Sequence, residues 1–413
     1  MIPVKKRVVV TKKPKPSVAT KPPPNVTKTQ LPSVAPFHRH WPTNCSALFL
    51  GDKAVIKTTT KMIEEERKRG VKGELPVPSD QEVQNWTRDC SLYKRLRGYP
   101  TKPLSDEEAG YPLAYIIVTH KDAAQVERLL RAIYQPQNVI CIHPDGKSPQ
   151  DFQRAIGGLA KCFDNVFVPS KVEIVKYAGF TRLQADVNCM GDLTGPIGVK
   201  YKWKYVMNLC GQDFPLKTNL EIVHQLKAYK GHNDINGILP SDHFKRRTNH
   251  KLPAPHNITV YFGNAYIAAT RGYVEYVVHN RVGVDLLHWV NGTHSPDETY
   301  WVTLHRAKGT PGGYPIGNLD TNVRFLRWGD IHNSPGCVGK YVRALCIFAV
   351  GYLQHLAVQP HLFANKFHYN YDPVTLQCLE EALTNRTLHP EESRRLINFP
   401  VTKFSWQNHT AVP

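Results

Sequence analysis

Leu113-Ala114-Tyr115-Ile116-Ile117-Val118 is an unbroken apolar run that ends at Thr119-His120-Lys121. A short run with no polar face is the signature of a strand buried on both sides. The pattern then repeats. Val126, Leu129, Leu130 and Ile133 fall on one helical face that stops at Gln135-Pro136. Val139-Ile140-Cys141-Ile142-His143 reads as a second strand, running into Pro144-Asp145-Gly146-Lys147. Phe152–Phe163 reads as a second helix and Val166-Phe167-Val168 as a third strand. Strands alternating with helices over short connections imply an α/β fold with a doubly wound, mostly parallel sheet and flanking helices. Ligands of such sheets bind beyond the carboxyl ends of the strands, where His120 and Asp145 fall.

Further along, Thr181–Leu193 reads as a helix, and Lys204–Leu209 as a fourth strand leading into Cys210-Gly211-Gln212-Asp213-Phe214-Pro215. Val260–Phe262 and Ala265–Thr270 are expected as strands around Gly263-Asn264, with a helix over Val274–Val282. Ahead of the sheet, helices are expected over Ala54–Arg69 and near Asp80–Lys94. The expected organisation is a stem over residues 1–44, a stem-proximal segment over 45–109, a catalytic domain over 110–378 and a tail over 379–413.

The 413 residues carry a net charge of +19, but its distribution matters more than its size. Lys5, Lys6, Arg7, Lys12, Lys13, Lys15, Lys21, Lys28 and Arg39 lie in residues 1–44, where no acid occurs, so about half the excess belongs to a Lys- and Pro-rich segment expected to be extended. That segment has few aromatics to stack on bases, which disfavours a nucleic-acid partner. The chain has no Gly-x-Gly-x-x-Gly, no Walker loop, no His-Glu-x-x-His and no Cys-x-x-Cys. Dinucleotide, P-loop and common zinc sites are therefore not indicated.

Nine widely spaced cysteines suit an oxidising compartment, and seven Asn-x-Ser/Thr sequons, at Asn25, Asn44, Asn85, Asn257, Asn291, Asn385 and Asn408, point the same way. Residues 1–44 contain no apolar run resembling a signal peptide or anchor, so a further N-terminal segment is expected ahead of this sequence.

Chemistry concentrates in His294-Ser295-Pro296-Asp297-Glu298-Thr299-Tyr300-Trp301. Pro296 suits the first position of a helix and Ser295 its N-cap, which would put Asp297 and Glu298 in the first turn. Carboxylates there complement the helix dipole, and one of them positioned at a pocket rim is equally a general base for a sugar hydroxyl. Arg343 lies between Cys337 and Cys346, and Lys366 lies in the apolar stretch Leu362–Phe367, where it either snorkels or binds an anion.

Taken together, Arg128-Leu-Leu-Arg-Ala-Ile-Tyr134, Pro136-Gln-Asn138, Arg182-Leu-Gln-Ala-Asp186, Asn208-Leu-Cys-Gly-Gln-Asp-Phe-Pro215, Ser295-Pro-Asp-Glu298 and Phe363-Ala-Asn-Lys-Phe367 resemble the core 2/I-branching β1,6-N-acetylglucosaminyltransferases of the Golgi. The resemblance implies a GT-A-like glycosyltransferase, UDP-GlcNAc as donor and an O-glycan acceptor on glycoproteins. It places Glu298 as catalytic base. Val118, Thr119, His120, Asp145, Gly146, Lys147 and Tyr177 align with donor-contacting positions, and Arg343 and Lys366 with a pair that binds the diphosphate. No metal or other cofactor is implied, in keeping with the absence of Asp-x-Asp.

The resemblance also implies disulfides Cys45–Cys378, Cys90–Cys162, Cys141–Cys189 and Cys337–Cys346, with Cys210 free. It implies a lumenal catalytic domain held at the Golgi membrane by an N-terminal anchor, and it is compatible with a homodimer. On the acceptor side only Arg247, Trp328 and Asp330 align. The stretch between Gly231 and Asn257 is short for the family, and Asp330 stands where core 2 enzymes have tyrosine. The expected reaction is core 2 branching of Galβ1,3GalNAc, with I-branching of poly-N-acetyllactosamine or a non-catalytic glycan binder as alternatives.

Overall fold

The computed structural model describes residues 38–314, 321–329 and 336–390. Asp330, nearly all of the basic N-terminal segment, most of the 379–413 tail, and Asn25 and Asn408 lie outside the described residues.

The expected strands form as β1 (Leu113–Thr119), β2 (Val139–Pro144), β3 (Val166–Phe167) and β4 (Tyr205–Cys210). After them come β5 (Asp213–Pro215), β6 (Gly237–Ile238), β7 (Phe262–Gly263) and β8 (Ala268–Thr270). The main sheet has the order β3-β2-β1-β4-β8, parallel except for the edge strand β8. β1 is central and buried along its whole length. Its period of two explains the unbroken apolar run. Leu113, Tyr115 and Ile117 enter one core with Val126, Leu129, Leu130, Phe152 and Ile156. Ala114, Ile116 and Val118 enter a second core with Leu183, Met190, Leu193, Tyr273 and Trp301.

Helices Ala123–Ile133 and Gln150–Lys161 thus cover one face, and Phe180–Thr194, Arg271–His279 and Asp297–Arg306 the other. A smaller sheet of β5, β12 (Phe363–Asn365) and β9 (Arg324–Leu326) stands beside β4, and β10 (Gly339–Val342) and β11 (Leu345–Phe348) make a hairpin.

Three expected elements are redrawn, two by local caps and one by a side chain distant in sequence. The helix near Asp80–Lys94 breaks into Asp80–Trp86 and Cys90–Arg97, because the Asp89 carboxylate accepts the Leu92 N–H and starts a new helix. The helix over Val274–Val282 instead ends at His279, and Asn280 caps a second one, Arg281–Val290. The strand expected from Ala265 begins only at Ala268, because Asn208 draws off the backbone first, accepting the Ile267 N–H and donating to the Ala265 carbonyl.

All four implied disulfides are present and Cys210 is free. Trp41, Leu48, Ile63, Val83 and Tyr93 share the core of the β1 face, so the residues ahead of the sheet are packed into it. A buried ion cluster reinforces the join. Glu127 accepts from Arg97 (2.7 and 2.8 Å) and lies 2.9 Å from His38. Burial alone would raise the Glu127 carboxyl, but Arg97 and His38 outweigh it and hold it well below the usual carboxylate range. No helix among the described residues is long and apolar enough to cross a membrane.

Candidate functional site

The site is assembled around the segment Lys171–Gly179, which crosses the carboxyl end of the sheet. Asp145 is the fixed point. Its backbone N–H donates to the Thr119 carbonyl (2.8 Å), and its carboxylate accepts from the N–H groups of Lys147 (3.2 Å) and Val175 (3.0 Å). The Lys147 amine pairs with the same carboxylate (3.2 Å) and donates to the Val175 carbonyl. Gly146 donates to the Glu173 carbonyl at 2.8 Å, and a Cβ there would meet that carbonyl oxygen at 3.2 Å, so glycine permits the close crossing. The His143 ring accepts the Glu173 N–H (3.0 Å); burial lowers its pKa, which suits a neutral acceptor. Val118, Thr119, His120, Asp145, Gly146 and Lys147 are thus gathered at the ends of β1 and β2, as expected.

Tyr177 projects from the same segment, 73% exposed, with the Arg343 guanidinium 4.7 Å above its ring. Arg343 and Ala344 are the two turn residues between β10 and β11, and both have positive φ (50° and 64°). A two-residue hairpin demands that geometry, and non-glycine residues in it carry strain. The Cys337–Cys346 bridge crosses this hairpin. Lys366 follows β12 and is half-buried. Its amine is lowered first by desolvation and then by the positive charges of Lys121 and Arg343. His120 and His368 are lowered too, first by burial and then by neighbours that include Lys121 and Lys366, His368 to about 3. The charges of Lys121 and Arg343 thus act on Lys366, and those of Lys121 and Lys366 on His120 and His368, a positive field near the end of β1.

On the other side, Ser295 joins the same segment, its N–H donating to the Ala178 carbonyl at 2.8 Å. This contact corrects the expected cap. Ser295 is drawn to a left-handed φ of 47°, Pro296 takes the N-cap position, and no side chain caps the helix Asp297–Arg306. Asp297 and Glu298 still occupy its first turn. Their environments differ sharply. Asp297 is buried, and its pKa is raised to about 6 by burial, with Glu298 and Asp186 adding to it and Arg182 opposing. Glu298 is part-exposed and holds Arg247 at 2.6 Å. The Arg247 guanidinium also lies 5.1 and 5.0 Å from the rings of Phe244 and Phe262, which stack 3.7 Å apart. Trp328 is 39% exposed and pairs with Leu345 of the Arg343 hairpin.

The network beneath the site has no role in the sequence reading, although Arg182, Asp186, Asn208, Cys210, Asp213, Phe363 and Asn365 lie in the motif blocks and only Arg324 and Tyr266 lie outside them. Arg182 binds Asp186 (2.7 Å), which accepts from Asn208 on β4 (3.1 Å). Arg324, wholly buried, pairs with Asp213 (3.2 Å), donates to the Asn208 carbonyl (2.9 Å) and lies between Tyr266 and Phe363. Asp213 accepts the Cys210 N–H (2.7 Å) and Asn365 donates to the Cys210 sulfur (3.2 Å), while burial pushes that thiol up to about 12. Such a thiol is a poor nucleophile. No cluster of three or more His, Cys, Asp or Glu side chains able to hold a metal occurs among the described residues.

Residues 113–357 match a family model described as Core-2/I-Branching enzyme. A human N-acetyllactosaminide beta-1,6-N-acetylglucosaminyl-transferase is 43% identical over 343 residues, 78% of this chain and 85% of that protein. A human protein named probable beta-1,3-galactosyl-O-glycosyl-glycoprotein beta-1,6-N-acetylglucosaminyltransferase 7 is 41% identical, over 81% of this chain and 80% of its own length. Transferase 4 of the same designation from mouse is also 41% identical, over 80% and 78%. Mouse xyloside xylosyltransferase 1 superposes with a TM-score of 0.25 at 11% identity, covering 51% of this chain and 87% of that one, a likeness that bears no weight.

Proposed function

The chain belongs to the Core-2/I-Branching enzyme family, and from that premise we propose that it is an inverting, GT-A-like β1,6-N-acetylglucosaminyltransferase. It moves GlcNAc from UDP-GlcNAc onto the 6-hydroxyl of a core 1 O-glycan. The observation that carries the reading is one crossing segment that touches both halves of the site: Ala178 accepts the Ser295 N–H at the start of the turn that bears the part-exposed Glu298, and Tyr177 lies under Arg343, whose charge acts on Lys366. Glu298 takes the proton of the acceptor hydroxyl as that oxygen bonds to the anomeric carbon. The bond to the diphosphate breaks on the opposite face, inverting the centre, and UDP leaves with the electron pair. Arg343 and Lys366 stabilise the departing charge, the role a metal fills in related chemistry, so the reaction proceeds without one. Val118, Thr119, His120, Asp145, Gly146, Lys147 and Tyr177 hold the nucleotide sugar.

Arg247 and Trp328 face the acceptor. In the acceptor-free state Arg247 holds the Glu298 oxygen that must accept the proton, so an incoming hydroxyl replaces or shares that bond. Four disulfides and the exposed asparagines of the described sequons support work in the Golgi lumen. A second reading, I-branching of poly-N-acetyllactosamine, is favoured by the slightly higher identity to the human and mouse N-acetyllactosaminide enzymes, 43% and 44%. The test is transfer from labelled UDP-GlcNAc, in EDTA, to a Galβ1,3GalNAc disaccharide and a lactosamine oligosaccharide side by side. Product on the former supports core 2 branching. Product on lactosamine alone moves the protein to I-branching, and loss of all transfer in EDTA that Mn²⁺ restores refutes the metal-free mechanism.

A further inference from the structure

Five sequon asparagines lie among the described residues, and all five, Asn44, Asn85, Asn257, Asn291 and Asn385, are exposed. They differ in what their side chains do. The Asn44 oxygen caps a helix by accepting the Ala47 N–H. At Asn291 only the backbone is engaged: its N–H donates to the His288 carbonyl (3.2 Å) and its carbonyl accepts from the Lys251 amine (2.6 Å). The side-chain amide is left to solvent at the end of the helix Arg281–Val290, before Gly292 turns the chain with a φ of 82°.

The third residue of this sequon is the telling one. Thr293 is 4% exposed and its hydroxyl has no hydrogen-bond partner among the described residues. An orphan buried hydroxyl opposes folding, and a valine would fill the same space without it. Nothing in the packing accounts for the hydroxyl, whereas the signal for N-glycosylation consists of that hydroxyl two residues after asparagine. The four disulfides supply the matching compartment.

We propose that Asn291 carries an N-linked glycan and that this glycan stands at the acceptor rim, where it screens bulky acceptors. The second half rests on the transferase reading given above; the first does not. Its position follows from two links. Lys251, which holds the Asn291 carbonyl, lies in the same short segment as Arg247, which holds Glu298. Along the chain, Asn291 and Glu298 are seven residues apart, a span of at most about 25 Å even if extended. A branched oligosaccharide has a comparable reach.

The test starts with these 413 residues placed behind a cleavable secretion signal and expressed in mammalian cells, released from their N-glycans enzymatically in ¹⁸O water and digested for mass spectrometry. Conversion of Asn291 to ¹⁸O-labelled aspartate is expected. Unconverted Asn291, unlabelled aspartate, or labelled aspartate at the same level in an enzyme-free control kept in ¹⁸O water, where this Asn-Gly pair deamidates spontaneously, overturns the modification. For position, wild type is compared with Asn291→Gln on a glycoprotein acceptor and on a free oligosaccharide. KM for the glycoprotein is expected to fall several-fold in the variant while KM for the oligosaccharide stays the same. Equal KM values on both overturn the screening role. Transfer absent from both proteins overturns the underlying reaction instead, leaving the mass-spectrometric result to decide modification alone. Thr293→Val gives an independent check: it abolishes the glycan and, with both proteins deglycosylated, raises the melting temperature. A fall in melting temperature overturns the argument from the orphan hydroxyl.

Discussion

Glu298→Gln separates chemistry from binding and from folding at a single atom. Glutamine keeps the shape of the side chain and a carbonyl oxygen for Arg247, so the 2.6 Å contact loses its charge but not its geometry. A charge-assisted hydrogen bond contributes about 1.5–3 kcal/mol and a neutral one about 0.5–1.5 kcal/mol. The side chains of Arg247 and Glu298 are 19% and 29% exposed, so solvent screening pulls the difference to the low end. The expected cost in stability is therefore about 1 kcal/mol or less. The expected cost in rate is far larger, because a general base contributes about 10²- to 10⁴-fold, or roughly 3–5 kcal/mol of barrier. Arg343 and Lys366 are untouched, so UDP should bind within about threefold of wild type. Single-turnover transfer from labelled UDP-GlcNAc, calorimetric titration with UDP and a melting curve measure the three quantities. A rate within tenfold of wild type, or a loss of UDP affinity matching the loss of rate, would refute Glu298 as the base.

Lys366→Met and Arg343→Ala should each weaken UDP binding by about 10- to 100-fold, the scale of losing one charge-assisted phosphate contact, and also slow transfer from the bound donor, because the same charges stabilise the departing diphosphate. Titration against single-turnover rate separates the two effects. Cys337→Ser with Cys346→Ser removes a clasp of sequence separation 9, which should release about 2.5 kcal/mol of local restraint and raise KM for the donor more than it lowers kcat. Arg324→Met leaves Asp213 buried and unpaired and should destabilise the fold by about 3–5 kcal/mol, read from denaturant midpoints.

Asp297 supplies a pH test. Its folded pKa is raised to about 6 from an ordinary 3.8, so its contribution to stability is full below about pH 4 and lost as pH rises through 6. Asp297→Asn should remove that decline, worth up to about 3 kcal/mol, and melt above wild type at neutral pH. Unchanged stability across pH 4–7 in both proteins would contradict it.

The sheet was legible because its physics is local. A run with no polar face, alternating with helical periodicity, leaves few arrangements for β1 to β4, and their carboxyl ends then locate His120 and Asp145 without further information. What stayed hidden was decided by contacts distant in sequence. Nothing near Ser295 announces that its N–H will be taken by Ala178, so the capping rule failed there for a tertiary reason. Arg324 looks like any charged residue in an apolar stretch until β9 and β12 lay it between Tyr266 and Phe363 over Asp213. The Arg247–Glu298 pair, 51 residues apart, is invisible to periodicity, and Arg247 drew notice only through the family motif.

The Cys45–Cys378 bridge, with a sequence separation of 333, closes nearly the whole described chain into one covalent ring. Its consequence is mechanical. A pull applied ahead of Cys45 and resisted beyond Cys378 travels through two sulfur atoms and never enters the sheet. The sheet, the second core, most of the first and the Arg343 hairpin lie inside the ring, so such a load leaves the catalytic geometry slack until the bond is reduced. Stretching single molecules from the two chain ends, before and after a reductant, would show this as contour length that appears only in the second trace.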